Sequence, residues 1–332
     1  MATTTRPIIT IIGLGVTGAS LGLALVNTNV QADVVGHDKA PDATQAARKL
    51  GAITRGEWNL HNAVANASVV VLAIPLSEVD ETLGLIAEDL QPSTMVIVLT
   101  DVLQPAATML ATRLPGHNNA VVGHPIVIGP AASLTARPDL LEKAVFVIAA
   151  GATTAPDALE LASNFVETVG AQPLFMDPVE HDGIAAAVTQ LPQLLSASLM
   201  HYLAGSPGWT EARRLAGRPF MQGTEVDKSA EHLYATLVAN RANMLVRLDQ
   251  FQRELAAWRT WLESAGAAES SDPLQTALAD TAHERNAWEA QAQRKDWDPT
   301  PVADTSTSSH GIIRQLFLGN LGQKKTPPPK GD

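Results

Sequence analysis

The sequence predicts an α/β fold in which a doubly wound parallel sheet is followed by an all-helical second half. Three observations predict it. Strand-like and helix-like stretches alternate through roughly the first half of the chain. The strand-like runs are rich in Val and Ile with little polar alternation, as strands covered on both faces require. After Asp177 the strand signal stops and helical spacing takes over.

The strands are expected at Ile8–Ile12, Asp33–Gly36, Val69–Ile74, Met95–Leu99, Ala120–Val122 and Ala144–Ala149, with helices Ala19–Val26, Ala43–Leu50, Val79–Asp89 and Ala106–Leu114 between them. Helix Ala158–Val169 and strand Gln172–Phe175 close the sheet domain. Beyond it, Asp182–Tyr202 reads as an apolar helix that Pro192 should kink. Met244, Leu248, Phe251, Leu255, Trp258 and Leu262 then alternate spacings of four and three, the period of a left-handed bundle seam. Such a seam either pairs with a second copy, giving a homodimer, or closes a bundle within the chain. Asp272-Pro273 has the form of an N-cap followed by proline at the first helical position, so a helix is expected from Leu274 to about Lys295. The expected division is 1–176 for the sheet domain, 177–295 for the helical domain and 296–332 for a flexible tail, in which Ile312–Leu318 forms one short apolar segment. A chain of 332 residues has room for two domains, because single cores stop growing near about 250–300 residues.

Lys and Arg number 23 against 34 Asp and Glu, a balance of −11 that argues against a broad polyanion-binding face, so no nucleic-acid partner is expected. Cysteine is absent, which removes disulfide and thiolate chemistry and confines any zinc site to His and carboxylates; no metal site is expected. Met1–Pro7 leads straight into a strand with no leader pattern, and no uninterrupted apolar run approaches membrane-spanning length, so a cytoplasmic protein without a membrane partner is expected.

The strongest motif is Ile11-Ile12-Gly13-Leu14-Gly15-Val16-Thr17-Gly18, between the first strand and the first helix. Gly13 permits the tight turn, Gly15 lets a pyrophosphate approach the backbone, and Gly18 lets the helix pack close to the sheet. Asp38 follows Gly18 by twenty residues at the end of the second strand, where a carboxylate takes ribose hydroxyls and repels a 2′-phosphate. The pattern is that of a Rossmann-type dinucleotide site and favours NAD, although Lys39 would tolerate NADP. Ala73-Ile74-Pro75 ends a strand at the carboxyl edge, so it should flank the cofactor as well as stop the strand.

With these stretches in order, Thr100-Asp101-Val102, Val122-Gly123-His124-Pro125, His181-Asp182, Leu191-Pro192 and Ala239-Asn240-Arg241 make the chain resemble the prephenate/arogenate dehydrogenase family up to about residue 265. That resemblance implies an oxidoreductase that removes hydride from a cyclohexadienyl alcohol, loses carboxylate and yields a 4-hydroxyphenyl product in tyrosine biosynthesis. It implies His124 as catalytic base, Thr100 and Asp101 beside the cofactor, and a homodimer formed through the helical domain. A histidine suits the proton transfer, since its unperturbed pKa is about 6.5. The alternative for His124 is a loop histidine that shapes the turn before Pro125. His37, His61, His117, His201, His232, His283 and His310 read as surface residues.

Several positions depart from the family. A family serine and lysine are replaced by Gln104 and Ala106, two histidines by Gln190 and Gln193, and two arginines by Met221 and Glu225. Gln190, Gln193 and Arg241 are the expected substitutes at the substrate, with Arg213, Arg214 and Arg218 as further sources of positive charge. The competing readings are a dehydrogenase of another small hydroxy substrate and a cofactor-binding protein without turnover.

Overall fold

The computed structural model describes residues 6–28, 31–129, 135–151, 153–226, 229–266, 272–295 and 297. His310 and the Ile312–Leu318 segment lie outside them. By their contacts, Met1–Asn286 form one compact unit and Ala287–Asp332 another.

The described strands are β1 (Ile8–Ile12), β2 (Asp33–His37), β3 (Arg55–Gly56), β4 (Val69–Leu72), β5 (Met95–Leu99), β6 (Ala120–Pro125), β7 (Val145–Ala150) and β8 (Gln172–Phe175). They form one sheet in the order β3-β2-β1-β4-β5-β6-β7-β8. The order reverses between β1 and β4, which opens a crevice at the carboxyl ends of those strands. Helices α1 (Val16–Asn27), α2 (Pro41–Leu50), α3 (Leu60–Val64), α4 (Leu76–Ile86), α5 (Leu103–Arg113) and α6 (Pro156–Thr168) accompany the strands.

The sheet has an apolar layer on each face. Ile9, Ile11, Val71 and Ile97 pack with Leu21 and Leu25 of α1 and Phe165 of α6, while Val70, Leu72, Val96 and Val98 pack with Val79, Leu83 and Ile86 of α4. Successive strand residues point to opposite faces, so burial on both sides leaves no place for polar alternation. That is why the sequence signal was clear.

Two features differ from the expectation. β6 and β7 run antiparallel, whereas the other described neighbours are parallel. A parallel return needs a crossover of a dozen residues or more, usually helical. The connection from Ile126 to Ala144 has no helix among its described residues, in keeping with the antiparallel pairing. In addition β6 runs on through His124, which pairs opposite Val147, so this histidine belongs to the end of the strand rather than to the loop beyond it.

The second half begins with a continuous helical stretch: α7 (Pro178–Ala185), a π-type turn at Ala186–Gln190, and α8 (Leu191–Ala204). Pro192 lacks an N–H and its ring crowds the carbonyl four residues earlier, and the wider turn absorbs this. By length and composition alone Pro178–Ala204 could cross a membrane. Short helices α9 (Trp209–Ala212) and α10 (Arg218–Gly223) lead to α11 (Ala230–Ala239), α12 (Arg241–Ser264) and α13 (Pro273–Arg294). Asp272 accepts from the amides of Leu274 and Gln275, as its N-cap reading required. Of the α12 seam only Met244 is buried, and Leu255 and Leu262 are exposed. Among the described residues the seam is therefore not closed within the chain.

Candidate active site

The glycine loop is held by close backbone packing. Gly13 has φ +92°, and a side chain there would strike the carbonyl of Ala73; one at Gly18 would strike the carbonyl of Gly13. At Gly15 a Cβ would meet nothing within 4 Å, so this position faces open space. Gly15 caps α1 without a side chain, and the first turn holds no acidic residue, so the positive end of the helix faces the groove. Leu14 is buried, and its amide donates to Asp38 Oδ2 at 2.8 Å. Its place in the expected cofactor set is corrected accordingly: it braces the loop against β2. Asp38 Oδ1 accepts from the Ala40 amide at 2.8 Å, and Lys39 is ion-paired to Glu78, whose carboxylate holds the ammonium above its ordinary pKa.

A cavity of about 520 Å³ runs along Gly13, Gly15, Asp38, Lys39, Ala73, Ile74 and Pro75. A second, of about 230 Å³, is lined by Thr17, Ala73–Pro75, Leu99, Thr100, Asp101, His124, Pro125 and His232. The two share Ala73, Ile74 and Pro75, so the groove past the glycine loop continues to His124. Val16 is exposed at the start of α1. The open face at Gly15, the uncapped helix end and the carboxylate on β2 suit a dinucleotide stretched along this groove.

His124 Nδ1 lies 3.0 Å from His181 Nε2, and the two rings meet edge to face. His181 Nδ1 lies 2.9 Å from Asp182 Oδ1. The Asp182 carboxylate also accepts from the amides of Leu103 (2.7 Å) and Gln104 (2.9 Å) at the start of α5. His181 and Asp182 are buried, and α7 carries both into the sheet domain. A carboxylate can only accept, so His181 Nδ1 carries the hydrogen and His181 Nε2 is the acceptor for His124 Nδ1–H. In that tautomer Nε2 is the basic nitrogen of the His124 ring. Behind this chain, Asn240 Nδ2 donates to the Asp182 carbonyl (2.8 Å) and to Gln190 Oε1 (2.7 Å), and Gln190 Nε2 donates to the Thr236 carbonyl (3.1 Å).

Gln190 therefore does not serve the substrate as expected. It is 1% exposed and joins three helical segments. Arg241 is exposed at the start of α12, and Arg213, Arg214 and Arg218 are exposed as well. Gln193 is half-buried on α8 and is not among the residues lining the smaller cavity. His232, expected at the surface, instead lines that cavity, with Nε2 3.1 Å from Asp101 Oδ2. His37 and His117 are also half-buried, each bonded to a backbone carbonyl. Nothing local in the sequence marked His232, because its partner lies 131 residues away. His181-Asp182 was visible only as part of the family pattern.

The comparisons agree with this architecture. Residues 21–174 match the family model for the prephenate dehydrogenase nucleotide-binding domain, and residues 177–279 match that for the prephenate dehydrogenase dimerization domain. A prephenate dehydrogenase from Bacillus subtilis is 28% identical over 77% of this chain and 70% of its own length. A cyclohexadienyl dehydrogenase from Zymomonas mobilis is 24% identical over 77% of this chain and 88% of its own. Among solved structures, prephenate dehydrogenase from A. aeolicus, in complex with hydroxyphenyl propionate and NAD+, superposes with a TM-score of 0.76 at 20% identity, covering 86% of this chain and 99% of that one. A glycine loop, a carboxylate at β2, a histidine at the end of β6 and two family models that together run from residue 21 to 279 lead to one conclusion: the chain is a member of the prephenate dehydrogenase family of NAD-dependent dehydrogenases.

Proposed function

We propose that this chain oxidises a cyclohexadienyl alcohol, prephenate or arogenate, with loss of carboxylate to give a 4-hydroxyphenyl product. The observation that carries the reading is the chain His124–His181–Asp182 at a cavity continuous with the dinucleotide groove. A bound nicotinamide supplies the hydride acceptor. His124 Nε2, the basic nitrogen of that tautomer, takes the hydroxyl proton as hydride leaves the same carbon. The imidazolium so formed donates from Nδ1 to His181, and the buried Asp182 carboxylate favours that positive charge, much as a carboxylate orients the histidine of a hydrolytic triad. Gln104 stands where the resemblance expects a serine, and its backbone N–H donates to Asp182, as any residue's there would; the histidine chain orients the base without that hydroxyl.

NAD is the proposed cofactor. Asp38 stands at the ribose end of the groove, and the cation beside it that would welcome a 2′-phosphate is bonded to Glu78. The working form is proposed to be a homodimer through the helical half. α8 contributes no buried side chain, and Val188, Tyr202, Leu255 and Leu262 are all more than half exposed. An apolar surface of this kind marks an interface. Sedimentation should give a dimer that Val188→Glu dissociates, and a monomeric parent chain at micromolar concentration would contradict this.

The function is tested by incubating the purified chain with NAD and either substrate. Reduced cofactor, carbon dioxide and a 4-hydroxyphenyl product should appear in equal amounts. Cofactor binding with no turnover of either substrate would refute the proposal and favour a non-catalytic role.

A further inference from the structure

We infer that Glu78, on a different element from the ribose carboxylate, sets the cofactor preference of this chain by holding Lys39 away from the place of a 2′-phosphate. The inference rests on the NAD reading above and adds the residue that enforces it. α4 begins at Leu76, directly after Pro75, and carries Glu78 in its first turn, with the Glu78 amide donating to the Pro75 carbonyl at 2.9 Å. A carboxylate there faces the positive end of the helix and is favoured in its ionised form. Lys39 follows Asp38 just past the end of β2, and its Nζ donates to Glu78 Oε1. Asp38, Lys39 and Glu78 line the same cavity, so the ion pair joins the β2 and α4 sides of the groove.

Asp38 is not free to turn aside for a phosphate. Its Oδ2 is held by the Leu14 amide and its Oδ1 by the Ala40 amide, both at 2.8 Å. A 2′-phosphate at this end of the groove therefore meets a fixed negative charge and needs a cation to offset it. Lys39 is placed to supply one. The hydrogen bond to Glu78, and then the charge of Glu78, hold the ammonium above its ordinary pKa, so the lysine keeps its charge and Glu78 governs where that charge is directed. Paired with a carboxylate, the ammonium offers a phosphate no net charge, whereas NAD brings only hydroxyls to this place and requires none. The Lys39 side chain is 75% exposed and that of Glu78 32%, and a pair so open to water contributes little to stability. A lysine after the aspartate reads as tolerance of NADP, and the fold withdraws that tolerance through a residue 39 positions away.

The test measures Kd for NAD and for NADP by titration calorimetry in the parent chain, Glu78→Ala, Glu78→Ala combined with Lys39→Gln, and Glu81→Ala, with the thermal midpoint as a control. Glu81 stands three residues further along α4 and lines the same cavity, but the partner of Lys39 is Glu78. The parent should bind NAD about tenfold or more tightly than NADP. Glu78→Ala should tighten NADP binding about tenfold, the effect of one charge-assisted hydrogen bond, with the Kd for NAD and the thermal midpoint little changed. Glu78→Gln, which keeps the shape and weakens the hold on the lysine, should give a smaller gain in the same direction. Adding Lys39→Gln to Glu78→Ala should abolish the gain, because the released ammonium is what the phosphate meets. Glu81→Ala removes a charge without releasing a cation and should give less than about threefold, since a separate exposed charge is screened. NADP binding unmoved by Glu78→Ala, a gain that survives Lys39→Gln, or an equal gain from Glu81→Ala overturns the inference and leaves the NAD reading standing. A parent that prefers NADP, or that binds neither nucleotide, overturns both.

Discussion

Replacing His181 with leucine removes the acceptor for His124 while leaving the base itself in place. In the parent, His124 Nδ1–H is held at 3.0 Å by His181 Nε2, and His181 is 4% exposed. When His124 takes up a proton, that contact becomes a charge-assisted bond inside the protein, worth about 1.5–3 kcal/mol. Its loss from the transition state should lower kcat by about ten- to a hundredfold. This is less than the effect of removing a general base outright, about 10²–10⁴. Asp182 keeps its two amide donors from Leu103 and Gln104, so the fold should survive, at a cost of about 1–3 kcal/mol for the lost buried partner. The rate should be followed as cofactor reduction in a single turnover, so that product release does not mask it. His181→Gln, whose amide can accept from His124 and donate to Asp182, should recover part of the rate. If His181→Leu is folded, binds NAD normally and retains kcat within twofold of the parent, the proposed orientation of His124 is wrong.

The remaining predictions concern the cofactor loop, the polar core and the last helix. Gly15→Ala should weaken NAD binding with little effect on stability, because the new methyl points into the groove, whereas Gly18→Ala should destabilise by about 1–3 kcal/mol as its Cβ meets the Gly13 carbonyl; calorimetry and denaturant unfolding separate the two. Asn240→Ala should cost about 2–4 kcal/mol in urea unfolding, since it strips donors from the Asp182 carbonyl and Gln190 Oε1 at once. Asp272 has its pKa lowered by backbone amides, first that of Gly266 and then those of Leu274 and Gln275. Its cap is therefore present above the ordinary aspartate range and lost as pH falls through the lowered value, so amide exchange at Leu274 and Gln275 should quicken only in strong acid.

The sheet domain was legible because its strands are covered on both faces, which writes Val and Ile runs into the sequence without ambiguity. The direction of β7 was not, since strand polarity depends on what connects two strands rather than on the residues within them. The glycine loop and Asp38 could be read from spacing alone, yet the use of the Leu14 amide by Asp38 could not. Gln190 was misread for a general reason: a glutamine in a helix carries no sign of whether it faces a ligand or a partner helix, and here it faces Thr236 and Asn240. His232 stayed hidden because α11 meets the end of β5 only in three dimensions.

The most direct test of the account is the rate of His124→Asn with saturating NAD and either cyclohexadienyl substrate. Asparagine keeps polar character but cannot take a proton near neutral pH. The account predicts a loss of about 10²–10⁴ in kcat with NAD affinity unchanged. A kcat close to that of the parent would show that the hydroxyl proton leaves by another route and would contradict the assignment of the base.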